Sequence, residues 1–296
     1  MKKIIITSSD SKYFQLLKEL ISSIQKHNLT NIFDIGVLDT GLNNDQIQYL
    51  SKLGVIVTNT EWNIQFSRYK IRGREYLKNI IARAFLPDYF QGYSTYIWID
   101  ADTWINDKKT FMLFDEGCKS NSICITPQVD RSYGRLANVE WFLGIPKKIK
   151  TINYKNISRS VSYKLAKKYD LFPTLNGGVF SINDDAAIWK NYQKNMKIAS
   201  RNGRIFGTDQ VALVLSVFED LMPTQFLPAY TNWMCEFHLP VFDLNRNIFL
   251  EPYLPYHPIG IMHLAGLDDI RSNKNILSKI KTNAGNTINR SLRFIE

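Results

Sequence analysis

Two carboxylates directly follow an apolar run in TYIWIDADTWI, residues 95–105. Residues i and i+2 of an extended segment point to the same side, so Asp100 and Asp102 can converge on one ion while the small Ala101 points away. Mg²⁺ and Mn²⁺ accept carboxylate oxygens and are commonly bound by one or two carboxylates plus the phosphates of a substrate. The spacing therefore predicts a divalent metal that holds a diphosphate and neutralises its charge as it leaves.

Two other interpretations of this pair stay open from the residues alone. The stretch also fits hhhhDxDxT, the first motif of haloacid-dehalogenase-like phosphatases, with Asp100 as nucleophile, Asp102 as acid–base and Thr103 in support. That motif usually opens its domain, whereas 99 residues precede Asp100 here, and GLDD at 266–269 does not match the late GDxxxD pair of those enzymes. The remaining interpretation is a solvated loop that carries two acids.

The sequence predicts alternating strands and helices, and these elements must position Asp100 and Asp102. Strands are predicted at residues 4–6, 32–39, 55–57, 95–100, 177–183 and 259–263. Helices are predicted at residues 13–24, 47–53, 75–86, 184–200 and 206–218. This alternation is typical of βαβ units and a mostly parallel sheet. Such sheets bind ligands beyond the carboxyl ends of their strands, so TSSD at 7–10, Asp39 and the DAD stretch would share one crevice.

Composition limits the class of protein and its partners. Of the 296 residues 45% are hydrophobic and 22% charged, which is typical of a globular domain and not of a disordered chain or a coiled coil. The net charge of +10 favours an anionic partner: a nucleotide, a nucleic acid or a lipid surface. Three cysteines without CxxC spacing predict free thiols in a reducing compartment. We recognise no signal peptide and no membrane-spanning run, so a cytoplasmic protein is expected.

Five stretches carry a more specific pattern. They are IARAFLPDY at 81–89, WIDADTWI at 98–105, LNGGVFSIN at 175–183, GTDQVALV at 207–214 and MHLAG at 262–266. Their order and spacing resemble the retaining glycosyltransferases of family 8, which include glycogenin and bacterial lipopolysaccharide galactosyl- and glucosyltransferases. The resemblance implies an α/β, GT-A (Rossmann-like) single domain with a mixed, mostly parallel central sheet. It also implies a nucleotide-sugar donor, usually a UDP-sugar, and Mn²⁺ (or Mg²⁺) as cofactor.

The resemblance further implies which residues bind the metal and act in catalysis. Asp100 and Asp102 would be the metal-binding DxD motif. His263, in the HxxG position, would complete the metal shell as a neutral imidazole. Asp209 and Gln210 would lie beside the reacting centre, where they position the acceptor and stabilise positive charge on the sugar.

A larger set is implied to bind the nucleotide sugar. Thr7, Ser8 and Tyr13 would line the uracil and ribose pocket, with Asp10 in the same segment. Arg83 would contact the donor sugar or the diphosphate, and the Asn-Gly-Gly stretch at 176–178 would form the floor under the sugar. Apart from the resemblance, the basic cluster at 68–78 fits a solvated helix face for most of its cations, while one or two would meet the diphosphate because Arg and Lys bind phosphate well. The predicted nucleotide-sugar-binding residues are Thr7, Ser8, Asp10, Tyr13, Lys78, Arg83, Asp100, Ala101, Asn176, Gly177, Gly178 and Gly266.

The sequence departs from the family pattern after Gly266. The family usually continues HxxGxxKPW, and its lysine holds the diphosphate. Here Asp269 stands in the lysine position and no Pro-Trp follows. Arg271 and Lys274 are the two candidates that could replace this lysine.

Residues 1–266 are expected to form the transferase domain and residues 267–296 a basic, helical C-terminal part. The interleaved cations and aliphatic residues of this tail fit either contact with an anionic membrane or an ordinary last helix. The segment 147–168 holds eight Lys and Arg and no acid, and would face an acidic glycan, a lipid head group or water.

The predicted function is transfer of a hexose from UDP-glucose or UDP-galactose to a glycan or lipid-linked glycan such as lipopolysaccharide or another surface polysaccharide. The expected location is the cytoplasm, with a peripheral position on the inner face of the membrane as an option. Nucleic acid is not an expected partner, because the aromatic residues lie in apparent core segments and are not interleaved with Lys and Arg. A phosphatase that uses Asp100 and a non-catalytic basic binding protein are the alternatives.

Overall fold

The computed structural model describes residues 1–133, 137–202 and 204–295. The strands are β1 Lys3–Ser9, β2 Asp34–Asp39, β3 Ile56–Asn59, β4 Thr95–Ile99, β5 Thr103–Ile105, β6 Ile123–Pro127, β7 Ala137–Phe142, β8 Ile145–Thr151, β9 Leu175–Asn183, β10 Thr224–Phe226, β11 Asn232–Met234, β12 Val241–Asp243, β13 Ile248–Leu250, β14 Ile261–His263, β15 Ser278–Lys281 and β16 Thr287–Arg290. The α-helices are α1 Phe14–Lys26, α2 Asn44–Lys52, α3 Arg68–Ile71, α4 Lys78–Ala82, α5 Leu86–Tyr89, α6 Lys108–Phe111, α7 Leu113–Gly117, α8 Ile152–Ser160, α9 Tyr163–Lys168, α10 Ala186–Arg201, α11 Thr208–Val214 and α12 Asp268–Ser272.

A central sheet of seven strands has the order β10-β6-β9-β4-β1-β2-β3. Strand β9 runs antiparallel to both of its neighbours, β4 and β6, and the other adjacent pairs are parallel. This mixed, mostly parallel sheet confirms the predicted α/β fold class.

Both faces of the central sheet are buried, which explains why its strands read as continuous apolar runs. Ile4 of β1 and Trp98 of β4 belong to one hydrophobic cluster, together with residues of α10 and α11. Ile5 and Ile97, their neighbours in sequence, belong to a second cluster that includes α1. Successive side chains of each strand point to opposite faces of the sheet, so one apolar run contributes to both hydrophobic clusters.

A smaller sheet, of order β11-β14-β5, lies next to the carboxyl end of β4. β5 follows β4 after three residues, and its Thr103 pairs with His263 of the antiparallel strand β14. This pairing brings a residue 160 positions away to the segment that carries Asp100 and Asp102.

One helix prediction needs correction. The segment 75–86 does not form a continuous helix: α4 is followed by a 3₁₀ turn at Arg83–Phe85 and then by α5. Pro87 lies in the first turn of α5. A proline inside a continuous helix would remove a backbone hydrogen bond, so the chain starts a new helix there.

The C-terminal part was predicted to be helical, and this prediction is wrong. Its one described α-helix, α12, has five residues, and β15 and β16 form an antiparallel hairpin closed near Gly285, whose φ is +87°. Ile280 and Leu292 are fully buried in a cluster with Trp104, whose Nε1 donates to the backbone oxygen of Leu292 at 2.8 Å. These apolar side chains are part of the core and cannot also contact a membrane. No helix in the described part of the chain is long and apolar enough to cross a bilayer.

Candidate active site

The strand directions place the predicted motifs at one edge of the central sheet. β1, β2 and β4 are mutually parallel, so the segments after Ser9, Asp39 and Ile99 lie at the same edge. β9 runs the opposite way and therefore delivers its first residues to that edge. The backbone N–H of Asp100 donates to the carbonyl oxygen of Gly178 at 2.8 Å, which joins the DxD stretch to the Asn-Gly-Gly stretch.

Asp100, Asp102 and His263 form the centre of this site. One ligand atom from each residue lies within 4.8 Å of the others. Two ligands of one cation lie at most twice a bond length apart, about 4 Å for Mg²⁺ and about 5 Å for Ca²⁺, so the three atoms are close enough to converge on a single ion after small adjustments. Within the described residues, Oδ2 of Asp100 and Oδ1 of Asp102 accept no hydrogen bond, and the latter lies 3.6 Å from Nε2 of His263.

The imidazole of His263 presents a lone pair to the two carboxylates. Its Nδ1 lies 3.0 Å from Oδ1 of Asn232, and only the protonated Nδ1 can donate to that oxygen. Burial lowers the pKa of His263, although Asp102 raises it, so the ring is neutral and Nε2 is the acceptor. Nε2 is buried and has no hydrogen-bond partner in the part of the chain that the structure describes. Three acceptors thus face one point, an arrangement that a cation satisfies.

Gly178 provides the space for this arrangement. A Cβ atom at this position would lie 2.5 Å from Cε1 of His263 and 2.7 Å from Oδ2 of Asp100. The adjacent Asn176 accepts a hydrogen bond from the backbone N–H of Gly178 at 2.9 Å, and its Nδ2 lies 2.9 Å from Sδ of Met234. The glycine is therefore required by the close approach of His263 and Asp100.

Arg83 links the DxD stretch to helix α11. Its Nη2 donates to Oδ1 of Asp100 at 2.7 Å, and its Nη1 donates to Oδ2 of Asp209 at 2.5 Å and to the carbonyl oxygen of Gly177 at 2.9 Å. The indole N–H of Trp98 also donates to Oδ1 of Asp100, at 2.9 Å. Burial raises the pKa of Asp100 to about 7, although Arg83 lowers it.

Asp209 and Gln210 begin helix α11 beside this network. Asp209 is buried, and its Oδ2 lies 2.9 Å from the position that a Cβ of Gly177 would take. Gln210 is only half-buried, and its side chain makes no hydrogen bond to residues 1–133, 137–202 or 204–295. The structure therefore brings Asp209 into the buried ion-pair network and leaves the amide of Gln210 available.

Arg271 occupies the other side of the carboxylate pair. Its Nη1 donates to Oδ2 of Asp102 at 2.8 Å, it also pairs with Asp268, and its guanidinium lies 5.7 Å from the ring centre of Tyr13. The backbone N–H of Tyr13 donates to Oδ1 of Asp10 at 3.0 Å. Of the two cations considered as replacements for the missing lysine, Arg271 is the one in contact with the site. The side chain of Lys274 makes no such contact within the described residues.

The predicted nucleoside pocket lies at the end of β1. Oγ1 of Thr7 is buried without a partner among the described residues, and Oγ of Ser8 accepts from Nδ2 of Asn79 at 3.1 Å. Lys78, the neighbour of Asn79, pairs with Glu75 at 3.1 Å and does not contact the carboxylate pair in the described structure. Lys78 was predicted to bind the nucleotide sugar, and in the structure it pairs with Glu75 instead.

Ala101 and Gly266 differ in how they relate to the centre. Ala101 is buried in the hydrophobic cluster that contains α1, so its side chain points away from the two carboxylates as expected. Gly266 has a φ of +80°, and a Cβ there would lie 2.2 Å from Oε2 of Glu236. The carboxylate of Glu236 is therefore packed against the HxxG glycine.

Sequence reasoning missed several residues that hold the site together. Trp98 lies two positions before Asp100 on the same face of an extended segment, a spacing that could have identified it. Asn232 and Asn79 hold His263 and Ser8 from distant parts of the chain, and no local pattern marks them.

Comparison with known proteins identifies the family. The sequence model of the family "Glycosyl transferase family 8" matches residues 4–227. The galactosyltransferase LgtC, solved with donor and acceptor sugar analogues, has 14% sequence identity and a TM-score of 0.51, over 88% of this chain and 87% of LgtC. This structural similarity shows that the present chain has the GT-A fold.

Two further solved structures are similar over most of this chain. The bifunctional glycosyltransferase WbbM has 17% identity and a TM-score of 0.49 over 77% of this chain, which spans 39% of WbbM. Mouse xyloside xylosyltransferase 1 has 10% identity and a TM-score of 0.46, over 90% of this chain and 99% of that protein. A search of curated protein sequences gives no match. The family match covers most of the chain, and the protein therefore belongs to glycosyl transferase family 8 and is a glycosyltransferase.

Proposed function

We propose that the protein transfers a hexose from a UDP-sugar, UDP-glucose or UDP-galactose, to a glycan acceptor with retention of configuration, and that it does so with Mn²⁺ or Mg²⁺. The acceptor we propose is lipopolysaccharide or another surface polysaccharide, in free or lipid-linked form. The observation that carries the proposal is the convergence of Asp100, Asp102 and His263 on one point.

Each carboxylate of the site has one oxygen bound to the protein and one that would bind the metal. Each carboxylate uses one oxygen for an arginine, Oδ1 of Asp100 for Arg83 and Oδ2 of Asp102 for Arg271, and keeps the other free. Together with Nε2 of His263, these two free oxygens would hold the cation. When bound, the metal supplies Lewis-acid stabilisation of the diphosphate leaving group. The two arginines orient the carboxylates before the donor arrives.

Arg271 would take the part of the family lysine. It is half-buried beside Tyr13, and a guanidinium binds phosphate oxygens in a bidentate manner. Thr7, Ser8, Asp10 and Tyr13 would surround the nucleoside. Lys78 would reach the diphosphate only by giving up its pair with Glu75.

The sugar would lie over the Asn-Gly-Gly stretch at 176–178, next to the start of α11. Gln210, whose amide is unengaged among the described residues, would contact the sugar and stabilise the positive charge that develops there. Asp209 is already paired with Arg83, so its proposed contribution is to fix that arginine and the floor of the site. The acceptor hydroxyl would attack from the face that the diphosphate leaves.

The two alternative functions are overturned by the family match, since the chain belongs to a glycosyltransferase family. The phosphatase interpretation also requires a free Asp100 nucleophile, whereas one oxygen of Asp100 is held by Arg83 and Trp98.

The proposed reaction is tested by incubating the enzyme with UDP-glucose or UDP-galactose and measuring the release of UDP. Release with Mn²⁺, its loss with a chelator and its loss in Asp102→Asn are the expected results. Asp45→Asn, at an exposed site in α2, is the matched control and should retain activity. Release that persists in Asp102→Asn or with the chelator would contradict metal dependence.

A further inference from the structure

The hairpin formed by β7 and β8 has an exposed apolar tip. Trp141, Phe142, Leu143 and Ile145 are exposed by 65%, 59%, 87% and 67%. Single exposed apolar residues are common, but a contiguous group of four marks a surface that contacts something else. The site described above uses none of these residues.

The backbone of the tip adds a second observation. Leu143 and Gly144 have φ of +48° and +77°, the pair of positive values found in two-residue hairpin turns that favour Asn-Gly. Leucine in the left-handed region costs backbone energy that asparagine or glycine largely avoids. The side chain is 87% exposed, so packing within the chain does not offset this cost. Neither the turn nor packing within the chain therefore favours a leucine at this position.

The charge around the hairpin indicates what that contact is. Strand β7 carries one acid, Glu140, and residues 141–169 contain eight Lys and Arg and no Asp or Glu. In helices α8 and α9, exposed cations alternate with exposed Ile152 and Tyr163. Apolar side chains beside a surplus of cations are the combination that binds the interface of an anionic bilayer.

We propose that hairpin β7–β8 is an interfacial anchor that inserts Trp141, Phe142, Leu143 and Ile145 into an anionic lipid surface. The exposed cations of helices α8 and α9 meet the lipid head groups. A glycan site would combine aromatic faces with hydrogen-bonding groups, whereas WFLGIP at 141–146 has no polar side-chain group except the indole N–H. The anchor does not depend on the proposed chemistry, because lipid binding is measured without any sugar donor.

The test is flotation of the full-length protein with vesicles of equal parts phosphatidylcholine and phosphatidylglycerol, compared with phosphatidylcholine alone. Binding to the anionic vesicles only is expected. Leu143→Asn should lower the affinity about tenfold, since it removes one buried leucine from the lipid while it suits the turn. Leu221→Asn is the matched control and should bind like the wild type, because Leu221 also has a positive φ of +53° and is 78% exposed.

A second readout reports on insertion itself. Vesicles with brominated acyl chains should quench part of the tryptophan fluorescence of the wild type. This part should disappear in Trp141→Phe, which still binds. The proposal is overturned if the wild type does not bind anionic vesicles, if it binds neutral vesicles equally well, or if Leu143→Asn binds like the wild type. It is also overturned if Leu143→Asn only converts a dimer to a monomer, which would show that a second copy covers the tip.

Discussion

Nη1 of Arg83 lies 2.5 Å from Oδ2 of Asp209, in a part of the molecule where both side chains are buried. The other branch of the same guanidinium lies 2.7 Å from Oδ1 of Asp100. One arginine thus pairs with two carboxylates and connects helix α11 to the proposed metal ligands. Arg83 stabilises the fold in addition to the donor contact that we propose for it.

Arg83→Met should therefore be strongly destabilising even without any ligand. Removing the arginine leaves the buried carboxylate of Asp209 and the partly buried one of Asp100 without this counter-charge, and breaking a buried ion pair typically costs about 3–5 kcal/mol. Urea unfolding in metal-free buffer measures the free energy. Lys194→Met removes a largely exposed partner of Asp220 and should cost at most about 1 kcal/mol. Equal costs for the two variants would show that the Arg83 network is not a stabilising one.

Gly178→Ala should weaken metal-dependent nucleotide binding. The added Cβ would come within 2.5 Å of His263 and 2.7 Å of Asp100, so at least one of these side chains must leave its position. We expect the affinity for UDP with Mn²⁺, measured by calorimetry, to fall by about tenfold or more. Gly36→Ala creates a comparable clash with Phe90, at 2.7 Å, away from the site. This control should lose stability and retain binding, and similar losses of binding in both variants would refute the assignment.

Asn232→Leu tests the orientation of His263. The asparagine is fully buried and fixes the tautomer through Nδ1, so its loss should weaken Mn²⁺ binding by about 10- to 100-fold. A titration of Mn²⁺ followed by the signal of the free ion gives this affinity. Asn195→Leu replaces another buried asparagine, one that donates to Ser216 at 3.0 Å, and should leave Mn²⁺ binding unchanged. Unaltered affinity in Asn232→Leu would mean that His263 is not a ligand.

The sequence contained enough information to identify the carboxylate pair but not the contacts that assemble the proposed metal site around it. Asp100 and Asp102 could be identified because they follow a strand whose apolar residues are unmistakable. The apolar run 175–183 predicts a strand but carries no direction, and its antiparallel course is what brings Gly178 to Asp100. The contact between His263 and Asn232 depends on the parallel pairing of β11 with β14, which no local pattern reveals.

The C-terminal part shows how a spacing can mislead. Its cations are interleaved with Ile276, Ile280, Ile288 and Leu292, a pattern that fitted a membrane contact or an ordinary last helix. Instead, Ile280 and Ile288 pair across a hairpin, and Ile280 faces the core between two exposed lysines. The buried partner of Arg293 is Glu19, 274 residues earlier, a distance at which sequence patterns give no signal.

Arg293→Met should destabilise the whole domain. Arg293 donates to both carboxylate oxygens of Glu19 at 2.6 Å and to the backbone oxygen of Arg271 at 2.8 Å, so its loss leaves a buried carboxylate and loosens α12. A cost of about 3–5 kcal/mol in urea unfolding is expected. Lys281→Met, at an exposed position of β15, should change stability by no more than about 0.5 kcal/mol. Wild-type stability of Arg293→Met would show that the C-terminal part is not integral to the fold.

The most direct test of the account is thermal unfolding of the wild type and of Asp102→Asn with UDP, with Mn²⁺ and with both. A ligand at a hundred times its dissociation constant adds about 2.7 kcal/mol, a rise in Tm of roughly 5 °C for a chain of this size. We predict this rise for the wild type only when UDP and Mn²⁺ are present together, and no such rise for Asp102→Asn. An equal rise in the variant, or a wild-type rise with UDP that does not need the metal, would contradict the metal-held donor site.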